Sequence, residues 1–161
     1  MKKSILAFLL TAVLLLSSCG DKTVTYRTDL SAAHVSDACM AVLSSADLLG
    51  AADEDYVQYR LMLDGTMAES CSVYIQNAGT SLDEFGIAKA PTDDTSALEA
   101  AFRDFIVRRN EEWTGQYMVE EYPKLESAEC RTIGRYVFYC ILSEEDKDAF
   151  FTAAEQFLTE Q

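Results

Sequence analysis

Residues 136–142 read Tyr136-Val137-Phe138-Tyr139-Cys140-Ile141-Leu142, seven apolar or aromatic residues without a charge. Such residues favour a strand, and a strand that is apolar on both faces is typical of the interior of a sheet. Gly134 marks a turn before it, and the segment from Leu125 to Thr132 predicts the partner strand. Glu129 and Arg131 give that partner the character of an edge strand. We therefore predict an antiparallel hairpin whose second strand is central.

A second strand pair is predicted in the middle of the chain. Between Met67 and Gln76 apolar and polar residues alternate, which is the period of a half-buried strand. Asn77-Ala78-Gly79 breaks the pattern, and a further strand, Glu84-Phe85-Gly86-Ile87-Ala88-Lys89, stops before Pro91. These two segments predict another hairpin, preceded by a turn at Asp64-Gly65.

Helical patterns flank and separate the two strand pairs. Ser31 predicts the N-cap of a first helix that carries Cys39 toward the core and ends near Gly50, and the acidic residues 53–55 open a short second one toward Leu63. The longest helix opens at residues 92–94 and ends near Gly115, and its apolar stripe comprises Leu98, Ala101, Phe102, Phe105, Ile106 and Trp113. Ser143 starts the last helix, with a stripe of Ala149, Phe150, Ala153, Ala154, Phe157 and Leu158.

The order of these elements is helix, strand pair, helix, strand pair, helix. Short antiparallel strand pairs with helices between them indicate an α+β domain rather than an alternating parallel fold. We predict a mainly antiparallel sheet of about four strands with helices packed on it. The chain length allows one domain with a sizeable core.

The N-terminus has the layout of an exported protein. Lys2 and Lys3 precede an uncharged apolar stretch at residues 5–16, which is shorter than the about 20 residues that a membrane-spanning helix needs. The following residues, Leu16-Ser17-Ser18-Cys19, resemble the lipobox of bacterial lipoproteins. That resemblance implies a diacylglycerol on the Cys19 sulfur and cleavage before Cys19. We therefore expect a lipid-anchored protein on the extracytoplasmic face of the cell membrane.

These features divide the chain into a signal peptide at 1–18, a lipidated cysteine and tether at 19–30, and one α+β domain at 31–161. Val24-Thr25-Tyr26 could instead add a short strand to the domain and shorten the tether. Cleavage would change the formal charge from −14 to −16, because the signal peptide contains two lysines and no acidic residue. An acidic surface with scattered basic residues excludes nucleic acid as a partner.

Four cysteines follow the lipidated one. An even number outside the cytoplasm suggests disulfides, with three possible connectivities, but buried free thiols are an equally open interpretation. In a tight hairpin Cys130 would pair near Val137, so a direct bridge to Cys140 is not expected. The cysteines are Cys39, Cys71, Cys130 and Cys140.

The layout resembles a family of small lipoproteins, mostly from Gram-positive bacteria, that carry a domain of unknown function. The resemblance lies in the lipobox, the strand 84–89, the long helix through Arg108 and Arg109, and residues 134–138 of the last hairpin. It covers most of the mature chain, although the several cysteines are not part of the family's pattern. The resemblance implies the cellular location and the fold but no activity, ligand or functional residue.

No motif for catalysis, a metal or a cofactor rises above background. His34 is the one histidine and lies at a predicted helix start, and the acidic clusters lie at three others, where capping explains them. We expect a non-enzymatic module that binds an envelope protein or another envelope component through the sheet edge or the aromatic loop from Tyr117 to Pro123. The alternatives are a cell-surface thiol-redox protein or other enzyme that uses the four cysteines, and a small-ligand carrier.

Overall fold

The computed structural model describes residues 24–76, 79–114 and 117–159. The predicted signal peptide at 1–18, Cys19 and the start of the predicted tether at 20–23 lie outside these residues. The described residues form an α+β fold around a five-stranded antiparallel sheet. The predicted fold class is confirmed, with five strands where about four were predicted.

Helices and strands are distributed along the chain as follows. The helices are α1 (Ala32–Met40), α2 (Ser96–Glu111), α3 (Tyr122–Glu126) and α4 (Glu144–Leu158). The strands are β1 (Leu49–Ala51), β2 (Ser70–Gln76), β3 (Glu84–Lys89), β4 (Glu129–Ile133) and β5 (Tyr136–Ile141). Short helical turns occupy Ala46–Leu48, Tyr56–Arg60 and Val119–Glu121. The strand order in the sheet is β1-β2-β3-β5-β4.

The β4–β5 hairpin confirms the predicted arrangement of an edge strand and an interior strand. β5 lies between β3 and β4 and is buried along its whole length. The predicted pairing of Cys130 near Val137 is wrong, because Cys130 pairs with Tyr139 and Val137 pairs with Thr132. The register follows from a two-residue turn at 134–135, whose first residue, Gly134, has a φ of 57°.

Each face of the sheet builds its own core, because neighbouring residues of a strand point to opposite faces. On one face α1 and α4 cover the sheet, and the ring of Phe150 lies 5.0 Å from that of Phe85. On the other face α2 covers the sheet, and Phe102 lies 4.8 Å from Tyr139, centroid to centroid. The sheet is therefore the middle layer of three.

Two helices end earlier than predicted. One is α2, which ends at Glu111 rather than near Gly115, a residue outside the described ranges. Ser31 caps α1 as predicted, accepting a hydrogen bond from the His34 amide, but α1 ends at Met40 rather than near Gly50. The chain turns there, and the amide and hydroxyl of Ser44 donate to Asp146 of α4 at 2.8 and 2.7 Å. Gly50 lies in β1. The contact of Ser44 with Asp146, 102 positions later in the sequence, thus replaces the last predicted turns of α1.

The segment before β4 and the end of α4 also differ from the predictions. Leu125 belongs to α3 instead of opening a strand, because Pro123 lies in the first turn of that helix, where its fixed φ is favourable. In α4 Ser143 is the N-cap, as predicted. Phe157 is exposed rather than part of the buried stripe, and Phe151 is buried in its place.

Part of the predicted tether packs on the domain. Tyr26 forms a single antiparallel bridge with Thr159, and the amide of Arg27 donates to the Leu158 carbonyl at 2.7 Å. The Tyr26 side chain lies against Gly134, so this contact is at the end of the sheet that carries the β4–β5 turn. No helix within residues 24–76, 79–114 and 117–159 is long and apolar enough to cross a bilayer.

Candidate functional site: a cleft around Glu84

The candidate site lies at the end of the sheet opposite the Gly134 turn. Glu84 is the first residue of β3 and pairs with Ile75 of β2 and Ile141 of β5. Its carboxyl group points to the face that α2 covers, where Arg109 lies in the last turns of the helix. Tyr56, in the helical turn after β1, closes the same corner.

Glu84 is a buried carboxyl group, with 3% of its surface exposed. One oxygen, Oε1, accepts hydrogen bonds from the hydroxyls of Tyr56 at 2.8 Å and Tyr139 at 2.7 Å. The other, Oε2, lies 3.6 Å from Nη2 of Arg109. Burial raises the pKa of Glu84, although Arg109 and the two hydroxyls favour its ionised form. Burial also raises the pKa of both tyrosines, so each keeps its proton and acts as a donor.

Gly86 allows Tyr139 to reach Glu84. The two residues are paired across β3 and β5, and the Tyr139 ring lies over the position where a Cβ of Gly86 would be. Phe102 and Phe105 of α2 hold the ring from above at centroid distances of 4.8 and 5.1 Å, both edge-on. The ring therefore lies along the sheet, and its hydroxyl extends to the start of β3.

A cleft of about 230 Å³ opens beside Glu84. We call it the Glu84 cleft; its lining residues are Tyr56, Arg60, Ile75, Gln76, Ser81, Leu82, Asp83, Glu84 and Arg109. Arg60 donates two hydrogen bonds to Glu112, at 3.0 and 2.6 Å, and Arg108 donates to the Arg60 carbonyl at 3.0 Å. These bonds fix the helical turn Tyr56–Arg60 against the C-terminal end of α2.

The aromatic loop predicted from Tyr117 to Pro123 borders this cleft. The loop contains a helical turn and the start of α3, which were not predicted. The Tyr117 hydroxyl donates to the Gly79 carbonyl at 3.0 Å, and Glu121 accepts from the Leu82 amide at 3.1 Å. Trp113, which lies beyond the end of α2, stacks on Tyr122 at 5.8 Å. The loop is thus attached to residues 79–83, of which Ser81, Leu82 and Asp83 line the cleft.

The four cysteines of the domain are free thiols. Cys39 and Cys140 are buried in the core under α1 and α4, whereas Cys71 and Cys130 lie on the opposite face of the sheet. Burial raises the pKa to about 12 for the first pair and to about 11 for the second. Very little thiolate, the nucleophilic form, is present at neutral pH at such values.

His34 and two of the three acidic clusters behave as helix-terminal groups, whereas in the third the buried Asp146 accepts hydrogen bonds from Ser44. Nδ1 of His34 lies 2.8 Å from the Ser31 hydroxyl at the start of α1. Asp53 accepts from the Tyr56 amide and Asp94 from the Ser96 amide, as the capping interpretation predicts. Among the residues that the structure describes, no three or more His, Cys, Asp or Glu side chains form a group able to hold a metal ion.

The sequence assigned no role to Glu84, Tyr56 or Arg109, which form the centre of the cleft. One signal was present: Arg109 continues the buried stripe of Leu98, Phe102 and Phe105 at helical spacing. A charged residue on the apolar side of a helix requires a partner or a water-filled space. The partners themselves lie far away in the sequence, so periodicity does not indicate them.

Comparison with known proteins identifies the family of the chain. A family model described as a domain of unknown function, DUF4358, matches residues 44–142, more than half of the chain. The match begins after α1, ends before α4 and contains every residue that lines the Glu84 cleft. No curated protein and no solved structure shows a significant match. The chain therefore belongs to the DUF4358 family of domains of unknown function.

Proposed function

We propose that the protein is a bacterial lipoprotein, held on the extracytoplasmic face of the cell membrane by lipid on Cys19, and that it acts as a non-enzymatic binding module. The residues that support the anchor are the two N-terminal lysines, the apolar stretch and the run Leu16-Ser17-Ser18-Cys19. Two or more acyl chains would hold such a protein stably, because a single chain binds a membrane only marginally.

The binding surface that the geometry favours is the cleft end of the sheet, formed by the Glu84 cleft and residues 117–123. The observation that carries this choice is the exposure of Tyr117 (64%) and Val119 (59%) in a loop whose residue Glu121 bonds to Leu82 in the wall of a polar cleft. Exposed aromatic and apolar side chains around a concave surface are typical of protein contact sites. Tyr26 lies at the other end of the sheet, so this described part of the predicted tether does not cover the cleft end.

The sheet edge is less suitable as a binding surface. β4 is an edge strand, but Glu129 and Arg131 on it pair at 2.6 Å, and the Arg131 guanidinium lies over the Phe151 ring at 4.0 Å. Charged side chains on an edge strand oppose the addition of a further strand. We therefore place the partner at the cleft end.

Of the alternative functions, small-ligand carriage has a specific observation in its favour. A second cleft, of about 460 Å³, lies between the β2 face and the helical turn at 56–60, with Val57, Leu63, Cys71 and Val73 in its lining. Its volume is within the range of small-molecule sites. The thiol-redox alternative is not favoured, because burial raises the pKa of Cys39, Cys71, Cys130 and Cys140.

Photocrosslinking tests the proposed surface. A photoreactive phenylalanine derivative replaces Tyr117 in one variant and Phe157, which is exposed near the opposite end of the sheet, in the control. Both variants are irradiated on the membranes of cells that produce the anchored protein. We predict a defined crosslinked product from position 117 and none from position 157. Equal products from both positions, or none from 117, would contradict the proposal.

A further inference from the structure

Arg109 has hydrogen-bonding capacity that none of the described residues uses. Its side chain is 21% exposed, and its Nε is fully buried without a hydrogen-bond partner among the described residues. Nearby Arg60 and Arg108 both donate hydrogen bonds. A guanidinium offers five N–H donors in a planar fork, and buried donors in folded proteins are nearly always paired. The Arg109 guanidinium therefore has donor capacity beyond what the described residues use.

Glu84 neutralises Arg109 only in part. The distance of 3.6 Å between Oε2 of Glu84 and Nη2 of Arg109 is an ion-pair distance, longer than a good hydrogen bond. The other carboxylate oxygen is already occupied by two tyrosine hydroxyls. The remaining charged groups of the lining are paired elsewhere, Arg60 with Glu112 and Asp83 with Lys124. Among the described residues that line the cleft, Arg109 is thus the cation with donors still available to a ligand.

We infer that the Glu84 cleft binds the single carboxylate of a small acid or of a peptide terminus, with the Arg109 guanidinium as its anchor. This inference rests on the proposed binding function and names the chemistry of its ligand. Planar carboxylates match the fork of a guanidinium in a bidentate arrangement. A monoanion suits the site better than a phosphate, because Glu84 and Asp83 offset Arg60 and Arg109 in the lining.

The size of the cleft limits the ligand. A volume of 230 Å³ corresponds to roughly eight water molecules at about 30 Å³ each. A small carboxylic acid or the last residue of a peptide fills that space, whereas a longer chain continues outside it. Gln76 and Ser81 add polar groups to the wall. Burial raises the pKa of Glu84, which lowers the cost of its protonation when a second carboxylate enters.

The test is an NMR titration of the non-acylated Cys19→Ala protein with ¹⁵N-labelled arginine. The probes are N-acetylalanine as a free acid, Ala-Ala-Ala as a peptide, and the C-terminal amides of both. We predict a saturable shift of the Arg109 Nε–H signal with one or both acids and none with the amides. The acid that binds more tightly shows whether the carboxylate comes from a small acid or from a peptide terminus. No shift with either acid, or equal shifts with acids and amides, would overturn the inference.

Two variants on the same helix provide a matched comparison. Arg109→Lys keeps the charge but loses the fork, and we predict a roughly tenfold or larger rise in the dissociation constant. Arg103→Lys is the control, because Arg103 is exposed and its nearest acidic partner is Glu99 at 3.9 Å. Equal affinities of the two variants would exclude Arg109 as the anchor. If the titration fails while position 117 still crosslinks, the surface stands and the carboxylate is excluded.

Discussion

Replacement of Gly86 by alanine tests whether the Tyr139 ring lies along the sheet. A Cβ at position 86 would overlap Cε1 of Tyr139 and lie 3.0 Å from Cδ1 and Cζ. The ring has no free space to move into, because it is fully buried and contacts the edges of Phe102 and Phe105. We expect the variant to displace the ring and to weaken the hydrogen bond from its hydroxyl to Glu84.

The cost is the sum of three effects. Overpacking of a core destabilises by about 1–3 kcal/mol, and loss of a buried hydrogen bond to a carboxyl group costs about 1–3 kcal/mol. The smaller conformational freedom of alanine in the unfolded chain offsets about 0.4–1 kcal/mol. We therefore expect Gly86→Ala to lower the free energy of unfolding by about 3 kcal/mol, a large part of the about 5–15 kcal/mol that holds a typical domain.

Urea denaturation of the Cys19→Ala form, followed by circular dichroism, measures this change. Gly65→Ala is the matched control, because nothing lies within 4 Å of a Cβ at position 65, and we expect a change within about 0.5 kcal/mol. A second substitution, Tyr139→Val, should recover part of the loss in the Gly86→Ala background. If Gly86→Ala costs no more than Gly65→Ala, the ring does not cover Gly86 and the described position of the Tyr139 ring is wrong.

Three further predictions concern the same region and the thiols. Tyr139→Phe removes one donor to Glu84 and should lower the free energy of unfolding in urea by about 1–2 kcal/mol; a variant as stable as the wild type would show that this bond contributes nothing. Glu84→Gln should gain stability relative to the wild type as pH rises. Burial in the folded protein raises the pKa of Glu84. The stability that Glu84 contributes is therefore present below its unfolded-state pKa and is lost as pH rises through its folded-state pKa. Thermal midpoints of the two proteins that change in parallel between pH 4 and pH 8 would contradict this prediction. Iodoacetamide at neutral pH should modify the four domain thiols slowly in the folded protein and rapidly in urea, because burial raises the pKa of each; one fast thiol in the folded protein would favour the thiol-redox alternative.

The sheet could be predicted where the sequence contains local periodicity. β2 and β3 follow from alternation between Met67 and Gln76 and from the stop before Pro91, and β5 from its apolar run. β1 was not predicted because it has three residues and is defined only by its pairing with β2. The early end of α1 was missed for a similar reason, since the bonds of Ser44 to Asp146 depend on the packing of α1 against α4.

The candidate site could be predicted only in part. The aromatic loop from Tyr117 to Pro123 was singled out by composition, and it borders the cleft. Glu84 lies 28 residues from Tyr56 and 55 from Tyr139, so only the β3–β5 pairing and the fold of the turn at 56–60 bring them together. Helical spacing puts Arg109 on the buried side of α2, but its unused donors appear only in three dimensions.

The sharpest test of a cleft built round a buried carboxyl group is the pKa of Glu84 itself. A ¹³C NMR titration of the glutamate carboxyl groups, with Glu84 assigned by comparison with the Glu84→Gln variant, measures it in the folded protein. Burial predicts a midpoint above the ordinary value of 4.5. Glu112 is the internal reference, because its hydrogen bonds with Arg60 lower its pKa below 4.5. A Glu84 midpoint at or below 4.5 would show an exposed or fully ion-paired carboxylate and would contradict the site described above.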